Sequence, residues 1–197
     1  MPSADASGGG EHRLHGRGGF RRLDEREVFR SRVFWVGELQ LADPDGRPFT
    51  RHVVHHPGAV AVVAVDATGT VTLVRQYRAA VGAYVLEVPA GTCDEHGEAL
   101  EDTARRELAE EAGLRAGELT RLTALYNTPG YSDQVTTVFL ATRLTPCPTA
   151  RAGIEERYMD LEAVPLAEVG ERVAGGAIVD ATTIVSLLLA QRALSPA

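Results

Sequence analysis

Three carboxylates crowd into one short stretch, Glu107, Glu110 and Glu111, and they constrain this chain more than any other feature. On a helix of about 3.6 residues per turn they stand at i, i+3 and i+4, inside one narrow sector. Like charges that close repel, so a fold that keeps them together needs a counter-charge. A divalent cation with oxygen ligands is the simplest candidate. Mg²⁺ is the hard cation most used alongside phosphates, with Mn²⁺ as the alternative. Gly91, upstream of the helix, supplies a turn that a phosphate or a metal can approach closely.

The rest of the stretch agrees with a helix at the border of a core. Ala104, Leu108 and Ala112 make an i, i+4, i+8 apolar stripe, so the acidic sector lies beside the buried face. Gly113 follows as a C-cap glycine would. Arg106 directly precedes Glu107 and can hold a carboxylate in place. Taken by spacing alone, the same residues also suit an ordinary solvated helix, because Glu and Arg are good helix formers.

The full string Gly91-Thr-Cys-Asp-Glu-His-Gly-Glu98 through Arg106-Glu107-Leu108-Ala109-Glu110-Glu111-Ala112-Gly113-Leu114 resembles the signature of the Nudix hydrolases. Its second half matches without exception. One departure stands in the first half, where six residues rather than five separate Gly91 from Glu98. An extra residue there can be absorbed before the helix begins, whereas one inside it would rotate the ligands by about 100°.

Composition bounds the partners. The chain has 197 residues, 44% of them hydrophobic, enough for one α/β domain with a real core. A formal net charge of −7 argues against nucleic acid or an anionic membrane as the main partner. No apolar run approaches the ~18 residues of a membrane span, and the Gly- and Arg-rich N-terminus lacks the apolar centre of a secretion signal. Cys93 and Cys147 make neither a disulfide framework nor a zinc pattern, so the expected compartment is a reducing cytoplasm.

Along the chain, residues 1–22 read as a disordered tail. Residues 28–41 read as one strand, and Asp43-Pro44-Asp45-Gly46 turns it into a second strand that ends near Val54. Residues 59–65 and 71–77 flank Asp66-Ala-Thr-Gly69 as a hairpin, and residues 84–88 form a short strand leading into the box. Further strands are expected over 119–126, 135–142 and 158–164. A helix is expected over 165–173, opened by Pro165. Asp180 caps a last helix whose apolar face is Ile184, Leu187 and Leu188. The mixture suggests an α/β/α sandwich. The Nudix resemblance implies the same fold with a mixed sheet, here preceded by an N-terminal antiparallel strand pair. It also implies a division into an N-terminal strand region over 23–56, used for dimerisation, and a hydrolase domain over 57–197.

The resemblance extends beyond the box to the ADP-ribose pyrophosphatase group. Pro129 stands 16 positions after Gly113, within Tyr126-Asn-Thr-Pro129-Gly130-Tyr131-Ser132-Asp133. Further matches are Leu73-Val-Arg75-Gln76-Tyr77-Arg78, Leu86-Glu87-Val-Pro89-Ala90-Gly91 and Asp180-Ala-Thr-Thr183. What the resemblance implies is Mg²⁺-dependent hydrolysis of the pyrophosphate link of ADP-ribose. Glu107, Glu111 and the Ala90 carbonyl would be metal ligands, with Glu110 in support. Arg106 would orient the carboxylates, and Glu98 would steady the junction of loop and helix. Arg75, Arg78, Glu87, Pro129 and Ser132 would meet the nucleotide sugar, guanidinium groups being suited to diphosphate. A general base would come from the Arg151–Arg157 loop, where Glu155 and Glu156 are the acidic residues and Glu156 is favoured. The group also implies a homodimer whose N-terminal strands reach the partner's site, with Phe34 and Trp35 as candidates for that surface or for base stacking. Another nucleoside diphosphate sugar such as GDP-mannose is the nearest alternative substrate. A non-catalytic ADP-ribose-binding regulator is the alternative of a different class. His52, His55 and His56 have no spacing that marks a site.

Overall fold

A computed structural model describes residues 19–195. Most of the expected N-terminal tail therefore lies outside the described residues, although Arg21 and Arg22 already belong to a strand. Three strands, β1 (Arg21–Arg30), β2 (Trp35–Ala42) and β3 (Pro48–His55), form an antiparallel sheet in that order. The expected strand pair is thus a triplet. Residues 28–41 are not one strand, because Ser31 closes a turn between β1 and β2. Its hydroxyl accepts from the Phe34 and Val33 N–H groups at 3.0 and 3.2 Å and donates to the Phe34 carbonyl. That turn uses neither Gly nor Pro, the usual punctuation. The β2–β3 turn follows the expected chemistry: Asp43 Oδ1 accepts from the Arg47 N–H at 2.8 Å, and Gly46 takes a φ of 84°.

The second sheet has seven strands. These are β4 (Ala59–Val65), β5 (Thr70–Arg78), β6 (Ala83–Glu87), β7 (Ala90–Thr92), β8 (Leu114–Tyr126), β9 (Val135–Pro146) and β10 (Asp160–Pro165). Its main order is β10-β5-β4-β9-β8, with β6 on β5 and β7 on β4. Only the β4–β9 pairing is parallel, which makes the sheet mixed. Strand β4 reads Ala-Val-Ala-Val-Val-Ala-Val because both of its faces are covered. Val60, Val62 and Ala64 meet Ala104, Leu108 and Ala112 of α1 (Leu100–Ala112) on one face. Ala61, Val63 and Val65 meet the opposite layer, which holds Val169 of α2 (Val169–Ala174) and Leu187 of α3 (Ala181–Leu194). The result is an α/β/α sandwich. Burial of a side chain such as Leu108 or Leu187 contributes about 1.5–3 kcal/mol.

Element ends differ from expectation where tertiary pairing decides them. Strand β8 begins directly after Gly113, five residues early, because β9 continues to Pro146 and pairs with it. Residues 156–158 form a 3-10 turn, so β10 starts at Asp160 rather than at 158. The segment after Pro165 opens as a 3-10 turn before α2. Asp180 caps α3 as expected, its Oδ2 accepting from the Thr183 N–H at 2.7 Å. The buried stripe of α3 is Thr183, Ser186, Leu187 and Ala190, with Ile184 beside it, whereas Leu188 is half exposed. Leu188 stands one residue, about 100°, round the helix from Leu187. Among the described residues no helix is long and apolar enough to cross a membrane.

The two sheets are tied together at Val54. Its N–H donates to the Tyr131 carbonyl at 2.8 Å, and its own carbonyl accepts from the Ser132 hydroxyl at 3.0 Å. His55 continues the join, with Nδ1 2.6 Å from Asp133 and Nε2 2.6 Å from Glu25 on β1.

Candidate active site

Helix α1 lies against β7 and β4 on one face of the central sheet. Gly113 ends it in the left-handed conformation (φ 66°), and its N–H bonds the Ala109 carbonyl. The apolar stripe faces β4, so the acidic sector is carried to the border of the core, where β7 begins. Glu111 is 5% exposed and accepts from the Ala90 N–H at 3.0 Å. The Glu107 carboxylate presses against Gly91, in the space a β-carbon there would take.

Arg106 gathers the box. Its guanidinium donates to Glu98 at 3.2 Å through two nitrogens, to Glu107 at 2.6 Å and to Glu110 at 3.3 Å. Glu98 also accepts from the Thr103 hydroxyl at 2.9 Å, so the longer 91–98 loop leaves it joined to the helix. The Arg106 hydrogen bonds hold the Glu98 carboxyl below the ordinary carboxylate range.

The two inner carboxylates are pushed the other way. Burial raises Glu111 to about 8; the Glu107 and Glu156 charges add to this, against the Ala90 N–H and Arg78. Burial likewise raises Glu107, against the opposing pull of Arg106. Arg106 is one cation among Glu98, Glu107, Glu110, Glu111 and Glu156. Such an excess of carboxylate oxygen donors, Glu111 buried and the others half-buried, suits a hard divalent cation. Among the described residues no three His, Cys, Asp or Glu side chains converge into a finished cage. Glu107 turns to Arg106, and Glu111 to the Ala90 N–H, so the donor set is present but drawn onto protein partners.

A cleft of about 740 Å³ opens in front of β7, lined among others by Arg78, Glu87, Ala90, Asn127, Thr136 and Asp180. Glu87 is buried and receives Arg78 Nε at 3.0 and 3.1 Å, with a further short contact from Nη2. Burial works against the Arg78 charge, but Glu87, with Glu111 and Asp180, outweighs it and raises the pKa. Arg75 does not share this cleft. Its guanidinium donates to Glu162 on β10 at 2.6 Å. The reason is strand parity: an odd separation of three residues along β5 sends the two arginines to opposite faces.

Two other expected contacts lie elsewhere. Ser132 is buried and spends its hydroxyl on the Val54 carbonyl, with the Gln134 N–H donating back to it, so it joins the sheets rather than lining the cleft. Pro129 is an exposed turn residue outside the cleft lining, in a turn closed by the Tyr131 and Ser132 N–H groups on the Thr128 carbonyl. In the 151–157 loop, Glu156 is half-buried and its charge reaches both Glu107 and Glu111, whereas Glu155 is exposed.

Sequence reasoning missed Asn127, which stands at the cleft between the Thr182 and Thr136 hydroxyls at 2.8 and 2.7 Å. No spacing rule marks a lone Asn in a turn. It also missed His56, which lines this cleft and a second one of about 570 Å³ beside Arg30, Trp35, Cys93 and His96. Trp35 stacks on His55 there, with ring centroids 4.1 Å apart.

Comparison with known proteins agrees with this geometry. The NUDIX domain family model matches residues 54–181. The chain is 34% identical over 174 residues to the ADP-ribose pyrophosphatase of Bacillus subtilis (strain 168), covering 85% of this chain and 92% of that protein. It is 38% identical over 169 residues to the ADP-ribose pyrophosphatase of Mycobacterium tuberculosis (strain ATCC 25618 / H37Rv), covering 86% and 82%. A crystal structure of an ADP compounds hydrolase superposes with a TM-score of 0.76 at 27% identity, covering 89% of this chain and 94% of that one. The acidic helix beside the cleft is thus accompanied by likeness along most of the chain, and the protein belongs to the NUDIX domain family as a Nudix hydrolase.

Proposed function

We propose that this enzyme hydrolyses the pyrophosphate bond of ADP-ribose to AMP and ribose 5-phosphate with Mg²⁺, Mn²⁺ being the substitute. The observation that carries the reading is the pair of carboxylates, buried Glu111 and half-buried Glu107, held behind the Ala90–Gly91 wall of a cleft that contains Arg78. Glu107, Glu111 and the Ala90 carbonyl would hold the cation, with Glu110 in support. When bound, it supplies neutralisation of the diphosphate charge and acidification of water.

The chain's own residues do the positioning that phosphoryl transfer demands. Glu87 occupies Nε and Nη2 of Arg78, which fixes the guanidinium plane and leaves Nη1 available for a phosphoryl oxygen. Arg106 keeps Glu107 and Glu110 oriented, and Glu98 anchors Arg106 in turn. Glu156 accepts the proton of the attacking water as its oxygen bonds to phosphorus and the bridging P–O bond breaks. Its reach to Glu107 and Glu111 supports it over Glu155. A homodimer accompanies this reading, with exposed Leu23 and Phe29 on β1 as the apolar contact.

The test is incubation with Mg²⁺ and a panel of ADP-ribose, GDP-mannose and other nucleotide sugars, followed by chromatography. Release of AMP from ADP-ribose at the highest kcat/KM is expected. Release of GMP from GDP-mannose in preference moves the substrate to another nucleoside diphosphate sugar. Tight ADP-ribose binding without cleavage makes the chain a regulator instead.

A further inference from the structure

The Glu156 loop is fastened by one side chain that the mechanism above does not use. Half-buried Arg151 donates to the Glu111 backbone carbonyl through Nε at 3.1 Å and Nη2 at 2.8 Å, and to the Met159 carbonyl through Nη1 at 2.6 Å. A single planar fork thus clamps both ends of the 151–159 segment onto the end of α1. The last turn of α1 contains no basic residue of its own, so Arg151 also supplies the cation that its carbonyl end attracts. The Ala150 N–H adds a bond to the Glu110 carbonyl at 3.1 Å. Inside the clamp, the Glu156 carboxylate accepts from the Ala152 and Gly153 N–H groups at 2.9 and 3.0 Å. Gly153 permits that approach, since a β-carbon there would stand 2.7 Å from Glu156 Oε1.

We propose that Arg151 is a positioning residue for hydrolysis, which fixes Glu156 relative to Glu107 and Glu111 by pinning the two ends of its loop to the helix that carries them. The proposal rests on the reading of Glu156 as general base. Without the clamp the loop samples other conformations, and only the fraction with the base aligned reacts. Substrate binding through Arg78 and cation binding through the side chains of α1 do not pass through this loop. Turnover therefore suffers, whereas affinity does not.

The experiment compares wild type with Arg151→Lys, Arg151→Ala, Glu156→Gln and the double variant Arg151→Ala/Glu156→Gln. It measures kcat, KM for ADP-ribose, the Mg²⁺ concentration giving half activity, and Tm. A base misplaced by about 1 Å costs about 10²-fold, so Arg151→Ala is expected to lower kcat by roughly 10–100-fold with KM and the Mg²⁺ midpoint within about twofold. Lysine keeps the charge at the helix end, and so the fold, but cannot fork between two carbonyls; Arg151→Lys is expected to share most of the kcat loss at an unchanged Tm. In the Glu156→Gln background the arginine substitution is expected to cost nothing more. Wild-type kcat in both Arg151 variants overturns the proposal, as does a full multiplicative loss in the double variant. Wild-type kcat in Glu156→Gln removes the general-base reading itself, and this proposal falls with it.

Discussion

The carboxylate of Glu107 occupies the space that a β-carbon on Gly91 would fill. Gly91 has no positive φ to preserve, so its role is room rather than backbone freedom. The obstructed group is the far end of a flexible side chain, which can swing away at little cost to the fold. Gly91→Ala is therefore expected to leave Tm within a few degrees of wild type while lowering kcat/KM at least tenfold and weakening Mg²⁺ dependence. Unfolding curves and steady-state kinetics on the same preparation check this. Intact activity would mean that the observed position of Glu107 is not the working one.

Arg75 and Arg78 are expected to part company despite their similar setting in sequence. A charge-assisted hydrogen bond contributes about 1.5–3 kcal/mol, and lysine retains the charge but not the fork. Arg78→Lys should raise KM for ADP-ribose about tenfold, or more. Arg75→Lys should leave KM unchanged, because Arg75 is engaged with Glu162 rather than with the cleft. Equal KM shifts in the two variants would put both guanidiniums on the substrate.

Glu162 gives a pH signature of the fold alone. It accepts from Arg75 at 2.6 Å and from Arg172 at 2.8 Å, and the Arg75 bond is the main cause that holds its carboxyl below its ordinary 4.5. A depressed folded-state pKa stabilises above the unfolded value and loses that contribution as pH falls through the folded one. Glu162 is partly exposed and its partners Arg75 and Arg172 more so, so screening limits the effect to about 1 kcal/mol or less. Chemical denaturation should find wild type slightly more stable than Glu162→Gln at pH 7, with the gap closed well below pH 4.5. A gap of equal size at both pH values would trace it to packing.

The sequence makes the central helix legible because every rule there agrees. The Ala104–Leu108–Ala112 stripe, the left-handed Gly113 and the clustered carboxylates all point to one helix at the edge of a core. The β4–β5 hairpin is equally plain: Asp66 Oδ1 accepts from the Thr68 and Thr70 N–H groups, and Gly69 takes the φ of 80° that the turn requires. What stays hidden, the local Ser31 turn apart, depends on partners distant in the chain. The Ser31 turn lacks Gly and Pro and is held by one hydroxyl. Ser132 looks like a ligand until Val54 claims it. Arg75 stands apart from Arg78 for a simpler reason, since strand parity separates the two. That Glu156 is half-buried while Glu155 is exposed depends on a loop whose ends Arg151 ties to residues 111 and 159, which no local spacing shows.

The most direct measurement is calorimetric titration of Mg²⁺ into wild type, Glu107→Gln and Glu111→Gln, paired with ADP-ribose turnover of the same three proteins. Loss of one electrostatic stabiliser of a transition state costs about 10²–10³ in rate. Both variants are expected to lose that much turnover and most of the cation uptake, with the fold intact by circular dichroism. Cleavage at the wild-type rate in both variants, or no cation uptake by the wild-type protein, contradicts the account.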